Sequence, residues 1–179
     1  ALHPTGMALL DATTWPALYD VTDDWLLAER GAREHERLVR LERSLLAQAD
    51  EVVVCSPTLV QTKGRHRPVT LIPNAVDVAA YHRVTDRPAD LPAGPVALYA
   101  GTVHRDRIDL HLTIATAGAI GDQARLVLLG PAPLSAADLA ELAAAGVVVL
   151  GPRPAADVPA YLRHADVLVV PHVLTPFTQ

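Results

Sequence analysis

The stretch VALYAGTVHRDRIDLHL, Val96 to Leu112, decides how the chain is read. It opens on a short apolar run, reaches Gly101, and then presents a hydroxyl, a histidine and two arginines before an apolar rhythm resumes. A near-continuous aliphatic run of this length suits a strand buried on both faces. A polar turn led by glycine, followed by helical periodicity, is how a parallel strand returns over its sheet.

The same grammar recurs on both sides. Strands are predicted over Ala17–Val21, Glu51–Cys55, Val69–Ile72, Val96–Ala100, Arg125–Leu129, Val147–Leu150 and Val167–Val170. Between them, Arg33–Ala49 carries Leu38, Leu41, Leu45 and Leu46 along one helical stripe. Its charges (Glu34, Glu36, Arg37, Arg40, Glu42, Arg43) read as a solvated face laced with pairs. Ser56-Pro57 reads as the N-cap and first position of a short helix. Further helices are predicted from about Arg107 to Ala117, from a capping-box pattern at Ser135–Asp138 to Ala144, and from Asp157 to His164. This alternation predicts an α/β chain with parallel sheets and right-handed crossovers. Residues 77–95 break the rhythm with prolines and little periodicity. The expected organisation is therefore a first unit over 1–80, a connection over 81–95 and a second unit over 96–179, each with three or four strands.

Composition narrows the function classes. Half of the 179 residues are hydrophobic but only 4% are aromatic, so Leu, Val and Ala do the packing. A net charge of −5 argues against nucleic acid as the main partner. One cysteine, Cys55, excludes an intrachain disulfide and fits a reducing cytosol. No apolar run approaches the roughly 18–20 residues of a membrane span. No G-x-G-x-x-G, P-loop or G-x-S-x-G pattern occurs.

In open parallel sheets, ligands gather beyond the carboxyl ends of the strands. In the second half those ends carry Gly101-Thr102-Val103-His104-Arg105-Asp106-Arg107, Gly130-Pro131, Gly151-Pro152-Arg153 and Pro171-His172. Glycine there either lets a ligand approach the backbone or simply makes a tight turn. Arg105 and Arg107, beside a helix N-terminus, suit phosphate oxygens; the alternative is surface pairing with Asp106 or Asp109. In the first half, Asp23-Asp24 reads as a metal pair, a general base or a helix cap, with capping the simplest. His3, His104, His111 and His172 lack zinc-type spacing, and Cys55 reads as a small core residue.

Taken together, these pieces resemble a GT-B glycosyltransferase of the group 1, family 4 type. LERSLLAQADEVVVCSPTLVQ followed by VTLIPNAVDVAAYH is similar to that family's helix beginning with Glu, then "aD-x-V-i-x-x-S", then "I-P-N-G-V-D…F". Glu42, Asp50, Ser56, Pro73, Asn74, Val76 and Asp77 match, with Ala75 at the usual Gly and Tyr81 at the usual Phe. The runs VALYAGTVHRDRIDL, ARLVLLGP and GVVVLGPRPAADVPAYLRHADVLVVPH resemble the family's donor-binding domain. ALYDVTDDW most resembles bacterial cell-surface polysaccharide members, including teichuronic-acid-type enzymes.

The resemblance implies two Rossmann-like units and transfer of a sugar from a nucleotide-diphosphate donor to a glycan or lipid-linked acceptor, without a metal or other cofactor. It implies diphosphate binding by Gly101, Thr102, Arg105 and Arg107, where Thr102 stands at the family's Arg and Arg107 at its Lys. Gly130, Arg153 and His172 are implied to border the nucleotide and sugar. Asp23 is implied as the catalytic residue facing the reacting sugar from the acceptor-side domain. The family's E-x7-E segment is expected beyond Gln179, and a parent chain about twice this length follows from two full domains. Residues 1–179 alone are then expected to be inactive. A cytoplasmic location, with peripheral membrane contact at the inner face through other parts, is the implied setting. A GT-B-type nucleotide-sugar epimerase and a non-catalytic nucleotide-binding fragment are the alternative readings.

Overall fold

The computed structural model describes Met7 and residues 12–176. The chain forms two compact units, the first running to Val76 and the second from Asp77 to Leu174.

The first unit holds a parallel sheet in the order β1-β2-β3, with β1 at Leu18–Val21, β2 at Glu51–Val54 and β3 at Thr70–Leu71. Helix α1 (Ala32–Gln48) returns the chain from β1 to β2, and α2 (Pro57–Lys63) from β2 to β3. Leu46 of α1 and Leu59 of α2 bury against Val21, Val52 and Val54. Ser56 caps α2 by accepting from the Leu59 amide, as the Ser-Pro pair predicts. The carbonyls at the end of α1 are served by Arg67, which donates to Leu46 and, just past the helix, to Asp50.

The second unit is a four-stranded parallel sheet in the order β6-β5-β4-β7: β4 at Val96–Ala100, β5 at Arg125–Leu129, β6 at Val148–Gly151 and β7 at Val167–Leu168. The two central strands, β4 and β5, alternate between two buried faces, which is why their runs are almost wholly apolar. Ala97, Tyr99, Leu126 and Leu128 face one core with Ile108 and Leu142. Val96, Leu98, Val127 and Leu129 face another with Leu91 and Tyr161. The helices are α4 (Leu110–Ile120), α5 (Ala136–Ala144) and α6 (Val158–Arg163). The Ser135–Asp138 capping box at the start of α5 is formed in both directions.

Residues 81–95 are packed onto the second unit. A five-residue helix, α3 (Val78–His82), precedes them. Leu91 is buried in the core under α6. Arg87 donates to the Gly94 and His164 carbonyls, and the Thr85 carbonyl meets His164 Nε2 at 2.8 Å. Asp90 accepts from the Tyr161 hydroxyl at 2.7 Å and from Arg153. Hydrophobic periodicity shows none of this, because the segment is held by one leucine, by backbone carbonyls and by the side chains of Arg87 and Asp90.

The Arg153 guanidinium, and then the Tyr161 hydroxyl, hold the Asp90 carboxyl below its ordinary 3.8. The unfolded chain therefore binds more protons there, so this contribution is complete above 3.8 and is lost as pH falls through the lower folded value. Asp90→Asn is expected to lower the urea midpoint at neutral pH and to flatten the decline in stability below about pH 4. Denaturation series at several pH values check this; an unchanged acid limb would refute it.

Candidate functional site

At the carboxyl ends of β4, β5 and β6 the loops are laced by backbone hydrogen bonds. The Gly101 amide donates to Leu129 at 2.9 Å, Val103 to Pro131 at 2.8 Å and Gly130 to Gly151 at 3.0 Å. This lacing requires a glycine at 130, where φ is +137° and a Cβ would lie 2.1 Å from the Gly101 carbonyl oxygen. A cleft of about 340 Å³ results, lined by Gly101, Thr102, Gly130, Pro131, Pro152 and Arg153 among others. Four of the expected binding residues thus share one cavity.

The strand order adds a second feature. From β4 the chain moves outward to β5 and β6, then returns to place β7 on the other side of β4. Such a reversal opens a crevice beyond the two central strands. Here that crevice is flanked by the loops after β4 and β7. Asp109 donates its amide to Pro171 and Val173 to Arg107, at 2.9 and 2.8 Å, and Ile108 bridges His172. His172 meets the Tyr99 ring edge-on with centroids 5.9 Å apart, and its buried Nε2 has no hydrogen-bond partner. Burial pushes the Tyr99 phenol up, while the nearby charge of Arg107 pulls it partly back. Arg107 and His172 therefore come together beside Gly101, although 65 positions separate them in the sequence.

The other two arginines are differently engaged. Arg105 pairs with Asp138, the carboxylate of the α5 capping box, and not with Asp106 or Asp109. Its side chain stays 69% exposed. Arg153 lines the cleft but turns its donors inward, to the Leu150 and Pro152 carbonyls, the Tyr161 hydroxyl and Asp90. The helix expected from Arg107 begins at Leu110, because Asp109 caps it by accepting from the Leu112 amide at 2.8 Å. Residues up to Ile108 form a turn instead, with the Arg107 and Ile108 amides bonded to His104. A carboxylate thus occupies part of the helix N-terminus that the sequence offers to an anion.

In the first unit, Asp23 is exposed in the turn after β1, with the Thr22 hydroxyl 3.3 Å from its carboxylate. Neither Asp23 nor Asp24 caps a helix: α1 has Gly31 at its N-cap and no side-chain cap. Asp24 instead accepts from Lys63 at 2.8 Å, and Lys63 also donates to Glu42 at 2.9 Å. Glu42 and Lys63 are each 4% exposed, so Glu42 does not belong to a solvated face. The outward charges do pair as expected, Arg37 with Glu34 and Arg40 with Glu36. A signal for Glu42 was available, since it falls on the stripe of Leu38, Leu45 and Leu46. Lys63, at the end of a short helix, gave none. Among the described residues, no group of three or more His, Cys, Asp or Glu is placed to hold a metal ion. Nor is any helix there long and apolar enough to cross a membrane.

Residues 94–178 match the family described as Glycosyl transferases group 1. No curated protein matches the chain. Among solved structures, Anabaena HepE in complex with UDP is similar, with a TM-score of 0.66 and 19% identity, over 95% of this chain and 50% of that one. HepE with UDP and glucose is similar at the same TM-score and 20% identity, over 92% of this chain and 48% of that one. HepE with UDP-glucose is similar at 0.66 and 18% identity, with the same coverage of 92% and 48%. The chain spans about half the length of these proteins. Its two parallel-sheet units correspond to part of a GT-B, Rossmann-like fold.

Gly130→Ala is expected to destabilise the second unit by about 2 kcal/mol or more, because the added carbon meets backbone and not a movable side chain. Thermal unfolding measures it; a melting temperature equal to that of the parent chain would show that the loops are not laced this way.

Proposed function

We propose that this chain is part of a glycosyltransferase that moves a sugar from a nucleotide-diphosphate donor to a glycan or lipid-linked acceptor. The observation that carries the proposal is the glycine-laced cleft and adjoining switch point, which lie within the residues that match the group 1 family. HepE was solved with UDP and with UDP-glucose, which favours a uridine diphosphate donor here.

In this reading the nucleotide lies along the cleft over Gly101, Thr102 and Gly130. The diphosphate sits toward the β4–β7 crevice, near Arg107 and His172. As the bond from sugar to phosphate breaks, negative charge grows on the departing diphosphate, and fixed guanidinium groups stabilise it. Arg107 is the principal cation because the turn and the β7 loop hold its backbone in place. Arg105 is the second: its side chain is mostly exposed and its partner Asp138 is already bonded within the capping box, so Arg105 can turn from it to a diphosphate. Arg153 shapes the wall of the cleft from its Asp90 and Tyr161 contacts. Asp23 serves as the catalytic carboxylate of the first unit.

The finer reading places the enzyme in bacterial cell-surface polysaccharide synthesis, in the cytoplasm at the inner face of the membrane. It rests on the likeness of ALYDVTDDW, Ala17 to Trp25, to such enzymes.

Calorimetric titration with UDP and with uridine tests the assignment. Arg107→Ala is expected to weaken UDP binding tenfold or more, about 1.4 kcal/mol, and to leave uridine binding nearly unchanged. Arg105→Ala should cause a smaller loss of the same kind. Equal losses for both ligands would overturn the diphosphate role of the residue concerned.

A further inference from the structure

We propose that Lys63 is a positioning residue for the turn that carries Asp23: its buried ammonium ties Asp24 to α1 and so fixes the course of the chain after β1. The catalytic part of this proposal rests on the reading of Asp23 given above; the tether itself does not.

Three observations within the first unit support it. Lys63 Nζ lies 2.8 Å from Asp24 Oδ1 and 2.9 Å from Glu42 Oε2, so one ammonium joins α2, α1 and the β1 loop. The Lys63 and Glu42 side chains are 5% and 6% exposed, and that of Asp24 is 17% exposed, so water competes weakly for these bonds. Asp23 is the immediate neighbour of Asp24 and is exposed, and short loop bonds hold this turn, including Trp25 N–H to the Asp23 carbonyl and Leu27 N–H to Asp24. A tug on the Asp24 side chain therefore passes directly to Asp23.

The arrangement is an expensive way to build stability. Two carboxylates share one ammonium in a place nearly closed to water. The half-buried phenol of Tyr19 is pushed up, first by desolvation, then by the negative charges of Glu42 and Asp24 and by its hydrogen bond to Glu42. An apolar contact of similar size would fill the same space at lower cost. What it would not do is hold one residue of an exposed turn in a fixed place, as a group working on a substrate requires.

The test pairs substitutions that separate positioning from folding. Lys63→Met with Glu42→Gln removes the tether but keeps the net charge of the cluster, since a lone Asp24 can turn to water. Amide hydrogen exchange of this variant should accelerate about tenfold or more over residues 22–27, with the protection of β2 and α1 retained. Asp24→Ala should reproduce the effect, and Asp24→Asn, which can still accept from Lys63, should largely reverse it. In the active enzyme with UDP-glucose, the double variant should lower kcat roughly 10- to 100-fold with KM for the donor unchanged. Unchanged exchange at 22–27, or faster exchange spread evenly over the first unit, would overturn the tether. Accelerated exchange with wild-type kcat would overturn its catalytic purpose. If Asp23→Ala alone keeps full turnover, the reading of Asp23 fails, while the exchange result still decides the role of Lys63.

Discussion

The carbonyl of Gly101 lies where a side chain at position 130 would have to begin, and the second unit is organised around that approach. With no Cβ in the way, the loops after β4 and β5 close onto each other. The amides of Gly101, Val103 and Gly130 then find carbonyl partners across three neighbouring loops. This leaves a cleft at the mouth of the sheet, lined by these glycines together with Thr102, Pro131, Pro152 and Arg153. The crevice between β4 and β7 has a different origin, the reversal of strand order. The two features share Gly101 and Thr102, which is why one glycine-led turn serves both.

Positive charge is distributed unevenly over this surface. Arg153 donates to the Leu150 and Pro152 carbonyls, to Tyr161 and to Asp90, and so joins residues 81–95 to α6 and the β6 loop. Arg105 rests on the capping box of α5, where it adds to a carboxylate already held below its ordinary value by Ser135. Arg107 stands where the loops after β4 and β7 are bonded together, close to Tyr99 and His172. Asp109 takes up part of the nearby helix terminus.

The first unit follows another logic. Its core is small and aliphatic, built from Val21, Val52, Val54, Leu46 and Leu59. Beside it lies a buried group of charges that a stability argument alone does not require. Glu42 occupies a leucine-like position on α1, and Lys63 reaches it from the end of α2. The turn bearing Asp23 is joined to the rest of the unit through that group.

Local pattern determined the elements of this protein. Aliphatic runs marked out the strands, and Ser56, Ser135 and their partners marked two helix starts, because these are properties of residues close in sequence. The glycines after β4 and β5 were legible as places where the backbone turns or is closely approached, for the same reason. Tertiary structure alone decided the partners of charged groups that lie far apart in the sequence. Asp138 for Arg105, Asp90 for Arg153 and Asp24 for Lys63 lie 33, 63 and 39 positions away. Coulomb attraction acts across space and leaves no period in the sequence. It also decided that residues 81–95 are held, since a leucine and a set of backbone carbonyls carry no pattern until α6 is there to receive them.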